Sequence, residues 1–344
     1  MRRILSICLG FLLLISSISF YPPTLSQAKG ATGWDVVKEL TNPAHEGRQS
    51  GTKGYNKAVD YMESVLEQKG LEPVSAPDLR HAYTTEYAQL ISESITVDGR
   101  KLEIMKDYMP FSRTPAGTFS FSELDYVGSG QEDDYARFRN GSIAVFRYST
   151  APEDKVWGIL DRIQTAAKHG AKAAFIIADG ELQVGNYEHP LRNQVIEIPA
   201  VYITPDLAAK LGVNTSSFAP KQLMSKRIEM NFDIQRGNST SYNLIGKIRG
   251  TIGTKSILIV SNLDGFGKLP DGRTFETARG SAVSMGLMVD LMDHYLVNRP
   301  EHNIIFAMVG SKWTSNEGIQ DLIRKLNFGT ISYTLDLYAM GGRG

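Results

Sequence analysis

The residues from Tyr242 onward confine this chain to a small set of folds. Residues 256–263 form a short β-branched apolar run, and residues 303–309 and 331–337 repeat it. Between the first two, residues 282–296 carry a helical pattern. Between the last two, Ile319, Leu322, Ile323 and Leu326 share one face of a second helix. Thr314 and Glu317 have the spacing of a capping box ahead of that helix. Strands separated by helices of this length pair in parallel, and helices cover both faces of the resulting sheet. In open sheets of this kind ligands bind beyond the carboxyl ends of the strands. Three polar positions fall there: Asn262-Leu263-Asp264, Ser311-Lys312-Trp313 and Asp336. A site on this part of the chain is expected among them.

The preceding residues have a different texture. Residues 34–40 begin a short helix, and 42–54 is a glycine-punctuated loop. Residues 55–69 place Ala58, Val59, Met62, Val65 and Leu66 on one helical face, stopped by Gly70. From about 76 to 235 short alternating strands, such as 94–97 and 141–146, are broken by turns like Asp98-Gly99. Val156, Ile159, Leu160, Ile163 and Ala167 stripe a helix ending at Gly170. A buried strand over 173–178 follows, and a strand over 198–203 leads into a helix near Pro205. With 344 residues, more than one compact core is expected. The predicted division is a leader over 1–28, an α/β domain over 29–75 and 236–344, and an inserted β-rich module with flanking helices over 76–235.

The leader reads as a secretory signal peptide. Arg2 and Arg3 precede a nearly all-apolar run over 4–20, and Ser26-Gln27-Ala28 supplies a small-x-small cleavage site. A retained membrane anchor is the alternative, which Pro22, Pro23 and the polar residues after them disfavour. The expectation is a secreted, extracellular protein with no membrane association after cleavage. Cys8, the single cysteine, lies in the leader, so the mature chain has no disulfide and no thiolate ligand. Lysine plus arginine equals aspartate plus glutamate at 37 each, which gives no electrostatic reason for a nucleic-acid partner. Asn140, Asn214 and Asn238 open N-x-Ser/Thr sequons, which matter only in a glycosylating host.

Pro43-Ala44-His45-Glu46-Gly47-Arg48-Gln49-Ser50-Gly51-Thr52, then a helix and Gly70-Leu71-Glu72-Pro73, resembles the opening of the secreted di-zinc aminopeptidases. The middle module is similar to the protease-associated domain inserted in many of them, above all over 166–177 and 198–211. Tyr242-Asn243-Leu244-Ile245-Gly246-Lys247-Ile248-Arg249-Gly250 resembles the family's entry into its catalytic sheet. Together these stretches span nearly all of the mature chain. The resemblance implies two zinc ions held by His, Asp, Glu, Asp and His, with an adjacent Glu as general base. Zinc lowers the pKa of the attacking water, and the Glu accepts its proton.

Carried over residue by residue, that site is largely erased. The family's His-x-Asp corresponds to Asn262-Leu263-Asp264. A carboxamide lacks both charge and a basic nitrogen, so Asn262 is a poor zinc ligand. Asp264 keeps a role that in the family orients the histidine. The bridging aspartate falls on Gly280, or on Arg279 with a one-residue shift. The Glu-Glu pair is replaced by Lys312-Trp313, and an ammonium there repels a metal pair. Asp336, in Thr334-Leu335-Asp336-Leu337, is the one surviving ligand-type residue, and the chain stops at Gly344 without offering the last histidine.

The resemblance therefore implies a catalytically degenerate pseudopeptidase with no cofactor, binding a peptide or protein. The transferrin receptor and nicastrin give precedent for such members. An active aminopeptidase with an unusual site and a truncated product without function are the alternatives. His45 is expected as a solvated loop histidine and His169 as a helix-end histidine. His189, His294 and His302 show no paired ligand spacing. Glu132-Asp133-Asp134 reads as a solvated acidic turn. Neither Gly128-Ser129-Gly130 nor the glycine-rich residues 341–344 have the setting of a phosphate loop. The Lys312 ammonium is expected within salt-bridge reach of Asp264 or Asp336, in the vacated metal position.

Overall fold

The computed structural model describes residues 30–75, 77–147, 156–179, 181–182, 191–274, 278–338 and 340. The leader with Cys8, His189 and the residues 341–344 lie outside the described residues.

The chain opens with helix α1 (Gly33–Leu40), a 3-10 turn over Pro43–Arg48, and helix α2 (Lys53–Gln68). Then come β1 (Glu72–Pro73), β2 (Arg80–Val97), β3 (Arg100–Lys101), β4 (Tyr108–Pro110), β5 (Gly117–Phe121), β6 (Leu124–Tyr126) and β7 (Ile143–Arg147). Helix α3 (Val156–Lys168), β8 (Ala173–Ile177), β9 (Ala200–Ile203), α4 (Pro205–Lys210) and β10 (Lys221–Gln222) follow. The chain continues through β11 (Ile228–Ile248), β12 (Ser256–Asn262), α5 (Val283–Val297), β13 (Asn303–Val309), α6 (Glu317–Lys325) and β14 (Ile331–Asp336).

These strands make two sheets. In the larger the order is β14-β12-β13-β11-β2-β3, with β1 and β5 also against β11. β12 lies parallel to both β13 and β14, whereas β11 runs antiparallel to β13 and β2. The larger sheet is thus mixed, with parallel pairing among β12, β13 and β14. The smaller sheet has the order β10-β6-β7-β8-β9-β4, and neighbours from β6 to β9 are all parallel.

Each sheet is held by apolar burial on both sides. Tyr55, Ala58, Val59, Met62 and Leu66 of α2 and Met285, Met288, Val289 and Met292 of α5 pack with Leu244, Ile259, Phe306 and Met308. On the opposite face Ile245, Leu258, Val260, Ile305 and Val309 meet Leu322 and Leu326 of α6. Two further clusters, around Phe175 with Val201 and Phe146 with Ile176, draw only on residues between 88 and 234. Coverage fails at β14, where Tyr333 and Leu335 are 72% and 49% exposed.

The longest strands were not foreseen. β2 and β11 pair from Arg80↔Leu244 to Val97↔Ile228 with a slip between Asp233 and Ile234, and this one ribbon connects the two sets of cores. The predicted capping box also changes. Asn316, at φ 59°, occupies the cap of α6, while Thr314 Oγ1 and the Ser315 N–H reach the Glu317 carboxylate at 3.2 Å.

Candidate functional site

β12, β13 and β14 present their carboxyl ends side by side, and the strand-end residues meet there. Asp264 is 1% exposed, and its Oδ2 accepts the Lys312 main-chain N–H at 2.9 Å. Its Oδ1 has no hydrogen-bond partner. Asn262 donates Nδ2 to the Asp264 carbonyl at 3.2 Å, and Asn262 Oδ1 is likewise buried without a partner. Burial pushes the Asp264 carboxyl up to about 7, against the opposing pull of the Trp313 and Lys312 N–H groups, Asn262 and the Arg48 guanidinium.

Arg48 comes from the opening 3-10 turn and is itself 1% exposed. It donates Nε to the Leu263 carbonyl at 3.1 Å, Nη2 to Ser281 Oγ at 2.6 Å and Nη1 to the Leu40 carbonyl. Burial lowers its pKa to about 10, opposed by the charge of Asp264. A guanidinium is thereby built into the floor of the site.

Lys312 departs from its expected place. Its ammonium stands 3.3 Å from the centroid of the Tyr338 ring, a cation–π contact, and makes no salt bridge to Asp264 or Asp336. The main chain of Lys312, not its side chain, satisfies Asp264. Burial lowers the Lys312 pKa, with Asp336 and Asp264 opposing. Trp313 turns away and stacks on Phe266 at 4.1 Å between centroids, leaving its buried Nε1 unbonded. Asp336 is exposed at the end of β14. Gly280 sits in a π-helical turn, Ala278–Ala282, before α5, and nothing lies within 4 Å of where a Cβ would be. The site therefore unites Asn262, Asp264 and Lys312, with Asp336 at its rim, while Gly280 contributes no side chain.

Sequence reasoning missed a buried hydroxyl knot that sets this turn. Ser311, at φ 60°, is fully buried; its Oγ meets Tyr83 Oη at 2.9 Å and Thr85 Oγ1 at 2.7 Å. Its N–H donates to Ser50 Oγ at 2.6 Å. A Cβ on Gly310 would collide with the Tyr55 and Tyr83 hydroxyls and with Ser50 Oγ, so only glycine fits. The one sequence signal was Gly310-Ser311 directly after an apolar strand.

The expectation for His45 needs correction too, whereas His169 stands at its helix end as expected. His45 is 3% exposed and bonds Glu39 at 2.9 Å, so it is a paired, buried side chain and no solvated loop residue. His169 stacks on Tyr135 and reaches Glu132 at 3.0 Å. The acidic turn is engaged as well: Glu132 also meets Lys168, and Asp134 accepts from Ser129.

A zinc pair requires imidazole and carboxylate donors. At the strand ends stand an amide, an ammonium and one buried carboxylate, of which Oδ2 accepts a main-chain N–H. Among the described residues no three His, Cys, Asp or Glu side chains are grouped to hold an ion. This donor set does not fit a zinc pair. A cavity of about 970 Å³ lies beside the strand ends and not at them. It runs from Gln49 and Lys53 along residues 87–93 of β2 to Leu191 and the 268–272 loop.

No protein-family model and no curated protein sequence matches the chain. Solved structures do. An aminopeptidase from Aneurinibacillus sp. strain AM-1 superposes with TM-score 0.63 at 18% identity, over 89% of this chain and 69% of that one. A zinc aminopeptidase from Bacillus subtilis gives 0.64 at 16%, over 91% and 69%. A peptidase M28 precursor from Shewanella amazonensis SB2B gives 0.59 at 18%, over 86% and 67%. The chain has the mixed α/β fold of these aminopeptidases, and spans about two thirds of their lengths.

Proposed function

We propose that this chain is a secreted, non-catalytic relative of the zinc aminopeptidases, a pseudopeptidase that binds a peptide or a partner protein. The observation that carries the reading is the replacement of metal donors by Asn262 and the Lys312 turn over a floor that holds the Arg48 cation. The Lys312 ammonium near the place where four more charges would have to sit disfavours a metal pair by several kcal/mol, even at an effective dielectric of about 20. The groove of about 970 Å³ beside the site supports retained ligand binding. It combines the apolar Leu90, Ile91 and Leu269 with the charged Glu93, Lys53 and Lys268, a mixture suited to an extended peptide. The basic, apolar, small-residue order of the leader supports export. The inserted residues 76–235 are read as a protease-associated module that flanks the groove.

The test is elemental analysis of the purified mature chain beside an assay with aminoacyl-p-nitroanilides. The expected outcome is substoichiometric zinc and no turnover above background. Two zinc ions per chain with chelator-sensitive hydrolysis would overturn the reading.

A further inference from the structure

The smaller sheet carries a cavity of its own. β6, β7, β8 and β9 run parallel, and beyond their carboxyl ends lies a space of about 850 Å³. Each of those strands contributes to it. Ser129 follows β6, Arg147 ends β7, Ile177 and Asp179 close β8, and Pro205 follows β9. Thr215, Ser216 and Phe218 form the remaining wall. The carboxyl ends of parallel strands are where such sheets bind ligands, because the connecting loops splay apart there.

The lining is specific in charge. Arg162 donates Nε to the Ser129 carbonyl at 2.6 Å and Nη1 to the Gly158 carbonyl at 3.2 Å, which fixes one cation in the wall. Arg147 is held less fully: Nη1 donates to the Thr215 carbonyl at 3.0 Å, while Asp179 stands 3.9 Å from Nε, beyond hydrogen-bond distance. The Phe218 ring lies 5.5 Å from that guanidinium and is 56% exposed, an apolar surface left beside a cation.

We propose that this cavity binds the carboxylate of an amino-acid unit, with the Arg147 fork on the carboxylate and the Phe218 ring against the apolar side chain. Guanidinium geometry matches a carboxylate through two parallel N–H donors. The unit is either a free amino acid or the C-terminal residue of a peptide. Among the described residues the lining comes from the smaller sheet, its loops and α3, so the site stands apart from the reading of the strand-end cleft and its groove.

Calorimetric titration of the full mature chain tests it, with N-acetylphenylalanine and its amide as probes. The acid binds, and the amide binds at least about tenfold more weakly, the loss expected for a charge-assisted pair. Arg147→Gln reduces binding of the acid by a similar factor, and Lys38→Gln, at an exposed position of α1 in neither groove, leaves it unchanged. Should Arg147→Gln misfold, Phe218→Ala serves, since that ring is exposed; it weakens the acid and the amide alike. Tighter binding of Ala-Ala-Phe than of phenylalanine identifies the peptide terminus as the ligand, and the reverse order identifies the free amino acid. No measurable binding of any carboxylate, equal binding of acid and amide, or binding untouched by Arg147→Gln and Phe218→Ala overturns the proposal.

Discussion

Asp264 makes the behaviour of single residues at the strand ends measurable. Its folded-state pKa of about 7 lies above the ordinary 3.8, so the folded chain holds this proton more tightly than the unfolded chain. Its contribution to stability is complete below the ordinary value and is lost as pH rises toward about 7, after which it is flat. The loss is on the order of 4 kcal/mol across that window. Asp264→Asn removes the slope. Its amide oxygen can keep accepting the Lys312 N–H. Denaturant melts at pH 5 and pH 8 should show the variant gaining on the parent at the higher pH. A gain at the lower pH alone would mean that Asp264 is ionised throughout. At Gly310 the expectation is opposite in sign. Gly310→Ala drives a methyl into the Tyr55 and Tyr83 hydroxyls and should cost about 3 kcal/mol or more, read as a lowered melting temperature.

At the scale of elements, legibility followed the strength of the burial pattern. α2 could be read because Ala58, Val59, Met62 and Leu66 all face one core, which keeps the helical period intact. β12 and β13 could be read because both their faces are covered, which leaves a continuous apolar run. The β2–β11 ribbon could not. Glu86, Gln89 and Ser92 on one strand and Gln235, Asn238 and Thr240 on the other sit between cores, so polarity stops alternating there. The site was legible at Asn262, Asp264 and Lys312, since strand ends are set by the apolar runs before them. The ring partner of Lys312 was not, because Tyr338 belongs to a different strand end and only three-dimensional proximity selects it. The salt bridge foreseen for that ammonium assumed that charge would choose charge; a half-buried lysine beside an aromatic face had another option.

For the molecule as a whole, the two clusters drawn solely from residues between 88 and 234 motivate a test of independence. Residues 76–235 expressed alone should melt in one cooperative transition, with coincident fluorescence and circular-dichroism curves. A broad, non-cooperative melt would mean that the segment depends on the rest of the larger sheet.

The ribbon also has a mechanical consequence. One stretch of β2 carries Tyr83 and Thr85, which grip Ser311, and the same strand continues to Ile95 in the neighbouring core. A registered pair of strands is stiff along its length, so it acts as a beam clamped at its base by the hydroxyl knot. Tilting the far end loads Ser311 directly, and the next peptide along is the Lys312 N–H that Asp264 holds. A displacement of the far end of the ribbon would thus be felt at the buried main-chain contacts that Asp264 makes at the strand ends.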